Sequence, residues 1–351
     1  MEKRKADLRA WAATAGVAEK RTDLRRSLIR GTFTAGELAD NLNITERQVL
    51  SLIKLEIESG AAIHKSGKHY TIELGQVPAK EPHFGHSWTG ESYRFGLISD
   101  THFGSKYARE DVCASLYDWF AEEGITRVYH AGNWIDGEAR FNRFDLLPGC
   151  HGMQNQIDYF VQRYPKRKGI KTFLVSGDDH EGWYVQREGV NIGAMMQETA
   201  ERHGRDDLID LGYMECFITL KHKDTGKTAR MLICHPGGGS AYATSYAPQK
   251  IIESYQPGEK PAVAIFGHYH KIEYLNIRGV HAIQAGCTKD TDPFARKKRL
   301  SYHVGGAIVE LRQDRKGAVQ DCIPWFRQFY DRGYHNDQFA MSHVPTRRKS
   351  R

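Results

Sequence analysis

The fold is decided by the stretch RFGLISDTHFGS at residues 94–105, in which a short apolar run ends in Asp100 and His102. Four later apolar runs also end in side chains that bind metals. In chain order they precede Asn133, Asp179 with His180, His235, and His268 with His270. Because ligand sites of α/β sheets lie outside the carboxyl ends of the strands, we expect all five runs to deliver these side chains to one edge. Oxygen and imidazole ligands in this number favour two divalent ions such as Mn, Fe, Zn or Ni.

The chain divides by composition into five segments. From Tyr93 onward, short apolar runs alternate with helical stretches, which is typical of an α/β domain. Residues 75–92 are rich in Gly, Pro and Ser and are interpreted as a linker. We therefore predict a basic helical arm at 1–21, a small domain at 22–74, the linker, an α/β domain at 93–330 and a basic tail at 331–351.

The five motifs read SDTHFGS, AGNWIDG, SGDDHEGW, CHPGGGS and FGHYH. Across residues 93–311 they resemble the calcineurin-like metallophosphoesterase family, whose pattern is DxH, GDxxDG, GNHE or GNHD, a later His, and GHxH. An isolated DxH or GHxH is weak evidence, but five motifs in order argue against coincidence. The resemblance implies a two-sheet α/β/β/α sandwich that hydrolyses phosphate esters with a two-metal-activated hydroxide.

The same resemblance implies a role for each motif residue. One metal, with manganese expected first, is held by Asp100, His102 and His270, and a second by Asp179, His235 and His268. Asn133 lies between the two, and His180 is the catalytic proton donor. From the same strand ends, Asp136 and Glu181 are expected to orient ligating imidazoles, and His130 is expected to lie beneath the site.

Two residues depart from the family pattern. Asn133 stands where the family has a bridging Asp, and Asp179 stands where it has Asn. Exchanging the two residue types leaves the formal charge of the ligand set unchanged, so we expect Asp179 to take over part of the bridging. The competing interpretation is a site with one metal or without activity.

The region 22–74 predicts three helices followed by a hairpin. Thr34 with Glu37, and Thr45 with Gln48, have capping-box spacing, which marks two helix starts. This order resembles the winged-helix DNA-binding domain. The resemblance implies DNA contacts from the recognition helix and the hairpin, at Arg47, Gln48, Ser51, Lys54, Lys65 and Lys68. Such small helical units also mediate protein contacts or dimerisation, and that alternative stays open.

Composition narrows the class of protein without deciding its function. The formal net charge of +7 favours a polyanionic partner, although a mild excess is common in proteins that bind no nucleic acid. Six cysteines without CxxC spacing fit a reducing, cytoplasmic compartment. No apolar stretch approaches the roughly 20 residues that span a bilayer, so we expect no membrane partner. The oligomeric state is open, and a homodimer is one option.

Three functions follow from these features. The first is a nuclease that hydrolyses DNA phosphodiesters, because a phosphoesterase site is joined to a DNA-binding module. The second is a phosphomonoesterase or small-molecule phosphodiesterase with a regulatory N-terminal domain. The third is a DNA-binding regulator whose phosphoesterase domain is inactive. The basic run at 290–299 is interpreted only as a solvated face.

Overall fold

The computed structural model describes residues 15–58, 63–72, 84–239, 243–256 and 258–332. The α-helices in these ranges are α1 Ala15–Arg30, α2 Ala35–Leu42, α3 Glu46–Glu58, α4 Glu110–Glu122, α5 Met153–Arg163, α6 Glu181–Glu188, α7 Ile192–Arg202, α8 Tyr246–Ser254 and α9 Pro293–Lys298. The strands are β1 Phe33–Thr34, β2 Ile63–Ser66, β3 His69–Ile72, β4 Phe84–Gly90, β5 Ser92–Ile98, β6 Arg127–His130, β7 Lys171–Ser176, β8 Leu208–Tyr213, β9 Glu215–His222, β10 Thr228–Cys234, β11 Val263–Phe266, β12 Ile272–Ile277, β13 Val280–Ala285, β14 Gly305–Gln313 and β15 Val319–Gln328.

The chain divides into two compact units, Met1–Pro82 and His83–Arg351. In the first unit, α1, α2 and α3 pack around a small apolar core that includes Leu24, Leu38 and Leu52. The strands β1, β3 and β2 form an antiparallel sheet in that order. The capping box expected at Thr34 and Glu37 is present at the start of α2.

The second unit contains two six-stranded sheets. One has the order β15-β14-β5-β6-β7-β8, in which β5, β6, β7 and β8 run parallel. The other has the order β12-β13-β11-β10-β9-β4, in which β10, β11 and β13 run parallel. The parallel strands matter for function because their carboxyl ends lie at a common edge of each sheet.

Apolar side chains arrange these sheets in layers. Phe95 and Leu97 of β5 pack in one cluster with Ile218, Ile233 and residues of other strands from both sheets, so this core lies between the sheets. A second cluster joins α4, α5 and α7 to the sheet that contains β5. A third joins α8 to the sheet that contains β10. The predicted two-sheet α/β/β/α sandwich is therefore confirmed.

The segment boundaries differ in detail from the sequence-based expectation. Residues 84–90, inside the linker expected at 75–92, form β4, which pairs in parallel with β9. The half-buried His86 and Trp88 alternate with exposed neighbours, so β4 buries one face against the inter-sheet core. Helix α1 continues from Ala15 through the boundary expected at residue 21. The first 14 residues of the arm and residues 333–351 of the tail lie outside the described residues.

None of the helices in the described part of the chain combines the length and the apolar character that crossing a membrane requires.

Candidate metal centre

The two sheets bring their strand ends together at one site. In the first sheet, β5 ends two residues before Asp100, β6 three before Asn133, and β7 three before Asp179. In the second sheet, β10 ends directly before His235, and β11 two residues before His268. All five side chains meet in or beside two groups of potential ligands, so the edge expected from the sequence is made by two sheets facing each other.

The first group consists of Asp100, His102 and His270, all buried. Oδ1 of Asp100 lies 3.3 Å from Nε2 of His270 and 3.9 Å from Nε2 of His102. The two imidazole Nε2 atoms are 3.2 Å apart. One oxygen and two nitrogens therefore converge on the same small volume, as the ligands of a single cation do.

The second group consists of Asp179, His235 and His268. Oδ1 of Asp179 lies 3.2 Å from Nε2 of His235, and Oδ2 lies 3.4 Å from Nδ1 of His268. Asp179 is 29% exposed and opens towards a cleft, whereas His235 is fully buried. Within each group the ligand atoms lie within 4.8 Å of one another.

Hydrogen bonds on the outer nitrogens orient three of these imidazoles. Nδ1 of His235 donates to the carbonyl of Ala131 at 2.5 Å, and Nε2 of His268 donates to the carbonyl of Gly238 at 2.6 Å. Nδ1 of His102 lies 3.0 Å from the carboxylate of Asp136. Because carbonyl and carboxylate oxygens only accept, the proton sits on the outer nitrogen and the inner nitrogen keeps its lone pair for a metal.

Asn133 lies close to the second group. Its Oδ1 is buried and has no hydrogen-bond partner among the described residues. A Cβ added to Gly177 would lie 2.4 Å from this oxygen and 2.8 Å from Cδ2 of His235, so only glycine fits between them. An unsatisfied buried oxygen costs free energy unless something binds it, and a cation is the partner that suits it.

The charge balance of the centre also fits a bound cation. Burial opposes protonation of His235, yet the hydrogen bond that the protonated ring donates to Asp179, together with the charge of Asp100, raises its pKa to about 9. Burial likewise opposes ionisation of Asp100, but the neighbouring His270 lowers its pKa below the usual range. The buried carboxylates thus attract positive charge, which protons on imidazole or divalent ions can supply. The residues present therefore fit the metal that the resemblance implies.

The backbone of the centre adopts an uncommon conformation. Six residues of the centre that are not glycine have φ between 48° and 77°: Asp100, His102, Asn133, His180, His268 and His270. This left-handed region costs an L-residue about 1 kcal/mol or more. Strain repeated at so many positions is typical of a functional site, where the surrounding structure holds side chains in a required direction.

His180 borders a cleft of about 440 Å³ that also exposes Asp179 and His268. Its Nδ1 donates to the carbonyl of Asp136 at 2.6 Å, and Nε2 lies 3.9 Å from Oδ2 of Asp179. The ring packs between His102, with centroids 4.3 Å apart, and Trp183, at 4.7 Å. His180 therefore has a fixed ring whose Nε2 lies beside the second ligand group.

The three residues expected behind the ligands have distinct positions. Asp136 accepts a hydrogen bond from Nδ1 of His102. Oε1 of Glu181 instead accepts from the backbone N–H groups of Asn133 and Gly177, and burial raises the Glu181 pKa to about 8. His130 lies 3.0 Å from the hydroxyl of Thr101, and burial lowers its pKa to about 3. Glu181 thus holds the loops of Asn133 and Gly177 rather than an imidazole, and His130 contacts the loop that carries Asp100 and His102.

Lys289 was not identified from the sequence, although it belongs to the centre. It is 4% exposed, and Nζ lies 3.0 Å from Oδ1 of Asp136 and 2.8 Å from Oδ2 of Asp292. It follows β13, whose carboxyl end lies beside that of β11. Applying the strand-end argument to this sixth run would have found it.

The residues expected to bind DNA all lie in the first unit. Arg47 and Lys54 of α3, and Lys65 and Lys68 of the hairpin, are exposed. Gln48 is half-buried, and its Oε1 caps α3 by accepting from the N–H of Thr45 at 2.9 Å. Half-buried Ser51 donates its hydroxyl to the carbonyl of Arg47. Two other basic residues of this unit, Arg21 and Arg25, pair with the buried Glu56.

No family model matches the chain, and no curated protein matches it. Several solved structures are similar to it. A novel archaeal phosphodiesterase is 14% identical with a TM-score of 0.35, over 67% of this chain and 100% of its own. Vps29 complexed with Zn²⁺ from Entamoeba histolytica is 12% identical with a TM-score of 0.32, over 68% and 100%. A conserved uncharacterized protein of Streptococcus pneumoniae TIGR4, described as a predicted phosphoesterase, is 11% identical with a TM-score of 0.30, over 67% and 98%. Because these scores are low, the two-sheet fold and the ligand groups rest on the chain's own geometry.

Proposed function

We propose that the chain is a metal-dependent phosphoesterase that hydrolyses phosphodiester bonds in DNA. The observation that carries this proposal is the pair of convergent ligand groups beside a cleft that His180 borders. Asp100, His102 and His270 would hold one cation, and Asp179, His235 and His268 a second. When bound, such cations polarise water and neutralise the charge of a phosphoryl group.

The side chains of the centre have their own tasks in this reaction. The Asp136 carbonyl fixes the His180 proton on Nδ1, so Nε2 is the atom that faces a substrate. In the protonated ring, Nε2 donates a proton to the oxygen of the leaving group, which needs one after the phosphorus–oxygen bond breaks. Packing against Trp183 and His102 holds the ring in position for this transfer.

The preference for DNA is supported by the N-terminal unit. Its elements are a helix, a strand, two helices and a two-stranded hairpin, an order that resembles a winged helix. Arg47, Lys54, Lys65 and Lys68 are exposed on this unit. Four exposed cations supply phosphate affinity that does not depend on base sequence. Such affinity raises the local concentration of DNA at a phosphoesterase site on the same chain.

The test is a substrate panel in Mn²⁺ that contains plasmid, linear duplex, single strand, and chromogenic phosphate mono- and diesters. We expect cleavage of DNA that falls about 10²- to 10⁴-fold in His180→Ala, because a general acid contributes that factor. His151→Ala is the matched control, since His151 is half exposed and lies outside the ligand groups.

Other outcomes of the same panel contradict the proposal in defined ways. Turnover of small esters alone indicates a small-molecule phosphoesterase. A DNA mobility shift without turnover of any substrate indicates a DNA-binding regulator with an inactive domain.

A further inference from the structure

Three aromatic side chains form a continuous surface next to His180, which we call the aromatic wall: Phe141, Trp183 and Phe294. The centroids of Phe141 and Trp183 are 5.4 Å apart, and those of Phe141 and Phe294 are 6.1 Å apart. Trp183 packs against His180 at 4.7 Å. The wall therefore extends outward from the residue that we place beside the leaving group.

Water contacts much of this wall. Phe141 is 63% exposed and Phe294 is 47% exposed, and all three rings line the same cleft as the ligand groups. Leaving large aromatic side chains in water forfeits the free energy of burying them, and contiguous exposed apolar patches usually mark binding surfaces. The wall thus has the character of a surface that a flat apolar group covers.

Helix α9 adds positive charge beside the wall. It begins at the N-cap Asp292, carries Phe294 in its first turn, and is followed by Arg299. The exposed cations of the helix and its C-terminal cap, called the α9 cations, are Arg296, Lys297, Lys298 and Arg299. Among the described residues no ion pair joins any of them to a carboxylate. Lys298 lines the cleft itself. A group that covers the wall therefore lies next to unneutralised positive charge.

The helix is also tied to the metal centre. Oδ1 of Asp292 accepts from the backbone N–H of Ala295 and starts the helix, and Oδ2 lies 2.8 Å from the buried Lys289. Lys289 in turn contacts Asp136, which orients His102. The position of Phe294 and Lys298 is thus set by the same side chains that set a metal ligand.

We propose that the aromatic wall stacks an unpaired nucleobase of the strand being cut, while the α9 cations contact its backbone phosphates. The substrate class is then single-stranded DNA or an end with unpaired bases, because the faces of bases inside a duplex are already stacked. This inference rests on the proposed function and makes it narrower. Any base has a face that stacks, so the preference concerns unpaired bases and not their sequence.

The experiment measures binding of two fluorescein-labelled strands to the full-length protein loaded with Mn²⁺. One is a short thymidine strand with phosphorothioate linkages, and the other is its abasic counterpart of equal length and charge. Because both strands carry the same charge, phosphate contacts, including those of the N-terminal unit, contribute equally to both affinities and do not affect their ratio. We expect the intact strand to bind about tenfold tighter, as stacking of one base predicts.

Variants assign this preference to the wall. In Phe141→Ala/Phe294→Ala we expect the two strands to bind equally. Phe144→Ala is the matched control, because Phe144 is 80% exposed, lies three residues from Phe141 and lines a different cavity. It should keep the tenfold preference. Lys298→Gln should weaken the binding of both strands by the same factor and lower the salt dependence of that binding.

Equal binding of both strands by the unaltered protein, or a preference that survives in the double variant, overturns the aromatic wall as a base-binding surface. This outcome is separate from failure of the proposed function. Hydrolysis of a base-free diester without the preference contradicts only the wall. A clear preference for the intact strand without turnover of any ester contradicts only the hydrolysis.

Discussion

Nζ of Lys289 lies 3.0 Å from Oδ1 of Asp136, and both side chains are almost completely buried. The same carboxylate oxygen lies 3.0 Å from Nδ1 of His102. A carboxylate that accepts from a ligating imidazole fixes its tautomer and strengthens it as a ligand, while the lysine balances the buried charge. The relationship therefore links a residue without any recognised motif to the first ligand group.

Replacing Asp136 with Asn should lower the affinity for Mn²⁺ by about 10- to 100-fold, because His102 loses the carboxylate that orients it. Isothermal titration of metal-free protein measures this change. Asp292→Asn is the control, since it alters the partner of Lys289 but does not touch His102. Equal losses in the two variants would show that buried charge, rather than imidazole orientation, is what matters.

Asp179 and Asn133 give a second prediction. Asp179 is grouped with His235 and His268, whereas Asn133 contributes an unpaired neutral oxygen. We expect Asp179→Asn to lose far more bound metal than Asn133→Asp gains, because Asp179 brings the one carboxylate of its group of potential ligands. Elemental analysis of the purified proteins gives the metal content. Metal content that barely changes in Asp179→Asn contradicts the assignment of this residue as a ligand.

Gly177→Ala should disrupt the second ligand group. The added Cβ would lie 2.4 Å from Oδ1 of Asn133, a distance that real contacts do not show, so one of these segments must move. We expect Gly177→Ala to bind Mn²⁺ at least about tenfold more weakly than the unaltered protein, because a ligand displacement of about 1 Å is enough for such a loss. Gly239→Ala, where no atom of the described residues lies within 4 Å of the added Cβ, is the control whose metal affinity should stay unchanged.

His86 predicts a pH dependence of stability. Burial, and then the charge of Arg127, lowers its pKa from 6.5 to about 4, so the folded protein holds the ring neutral. Below about pH 6.5 the unfolded chain binds a proton at His86, whereas the folded protein does not do so until about pH 4. The free energy of unfolding therefore has its full value above pH 6.5 and decreases as the pH falls towards 4. Because the ring is only half-buried, we expect the free energy of unfolding to fall by about 1 kcal/mol over this range.

Urea unfolding at pH 7 and pH 4 measures this effect. The loss of stability between the two pH values should be smaller in His86→Gln than in the unaltered protein, because glutamine does not titrate. His151→Gln, at a half-exposed histidine, should behave like the unaltered protein. An identical pH dependence in all three proteins would mean that His86 is freely protonated in the fold.

The N-terminal unit gives a fifth prediction. Arg47→Gln combined with Lys54→Gln should weaken binding of duplex DNA uniformly across sequences and reduce the salt slope by about two, since each lost phosphate contact removes about one. Fluorescence anisotropy at several salt concentrations measures both quantities. An unchanged slope would favour the alternative in which this unit mediates protein contacts.

The family resemblance implied the two-sheet layers, whereas the ligand edge was predicted from the sequence by a local rule. Apolar runs that end in Asp, Asn or His describe strands with a polar carboxyl end, and Asp100, Asn133 and His235 follow directly from that rule. The prediction did not require knowing that two sheets share the edge. It worked because the carboxyl ends of both sets of parallel strands face the same cleft.

Other features depend on tertiary contacts that no local pattern contains. Strand β4 was interpreted as a linker because Gly and Pro precede it, and its partner β9 begins more than 120 residues later. Phe141 and Phe294 are also distant in sequence, and nothing in either segment indicates that the rings meet at 6.1 Å. The left-handed backbone at His102 and His270 contradicts local propensity and is imposed by the surrounding fold.

Titration of Mn²⁺ into protein stripped of metal tests the account most directly. Two convergent ligand groups predict saturable binding of about two ions per chain, with about one ion lost in His270→Ala and about one in His235→Ala. Binding that is absent in the unaltered protein, or that both substitutions leave unchanged, would contradict the existence of the metal centre on which the proposed hydrolysis depends.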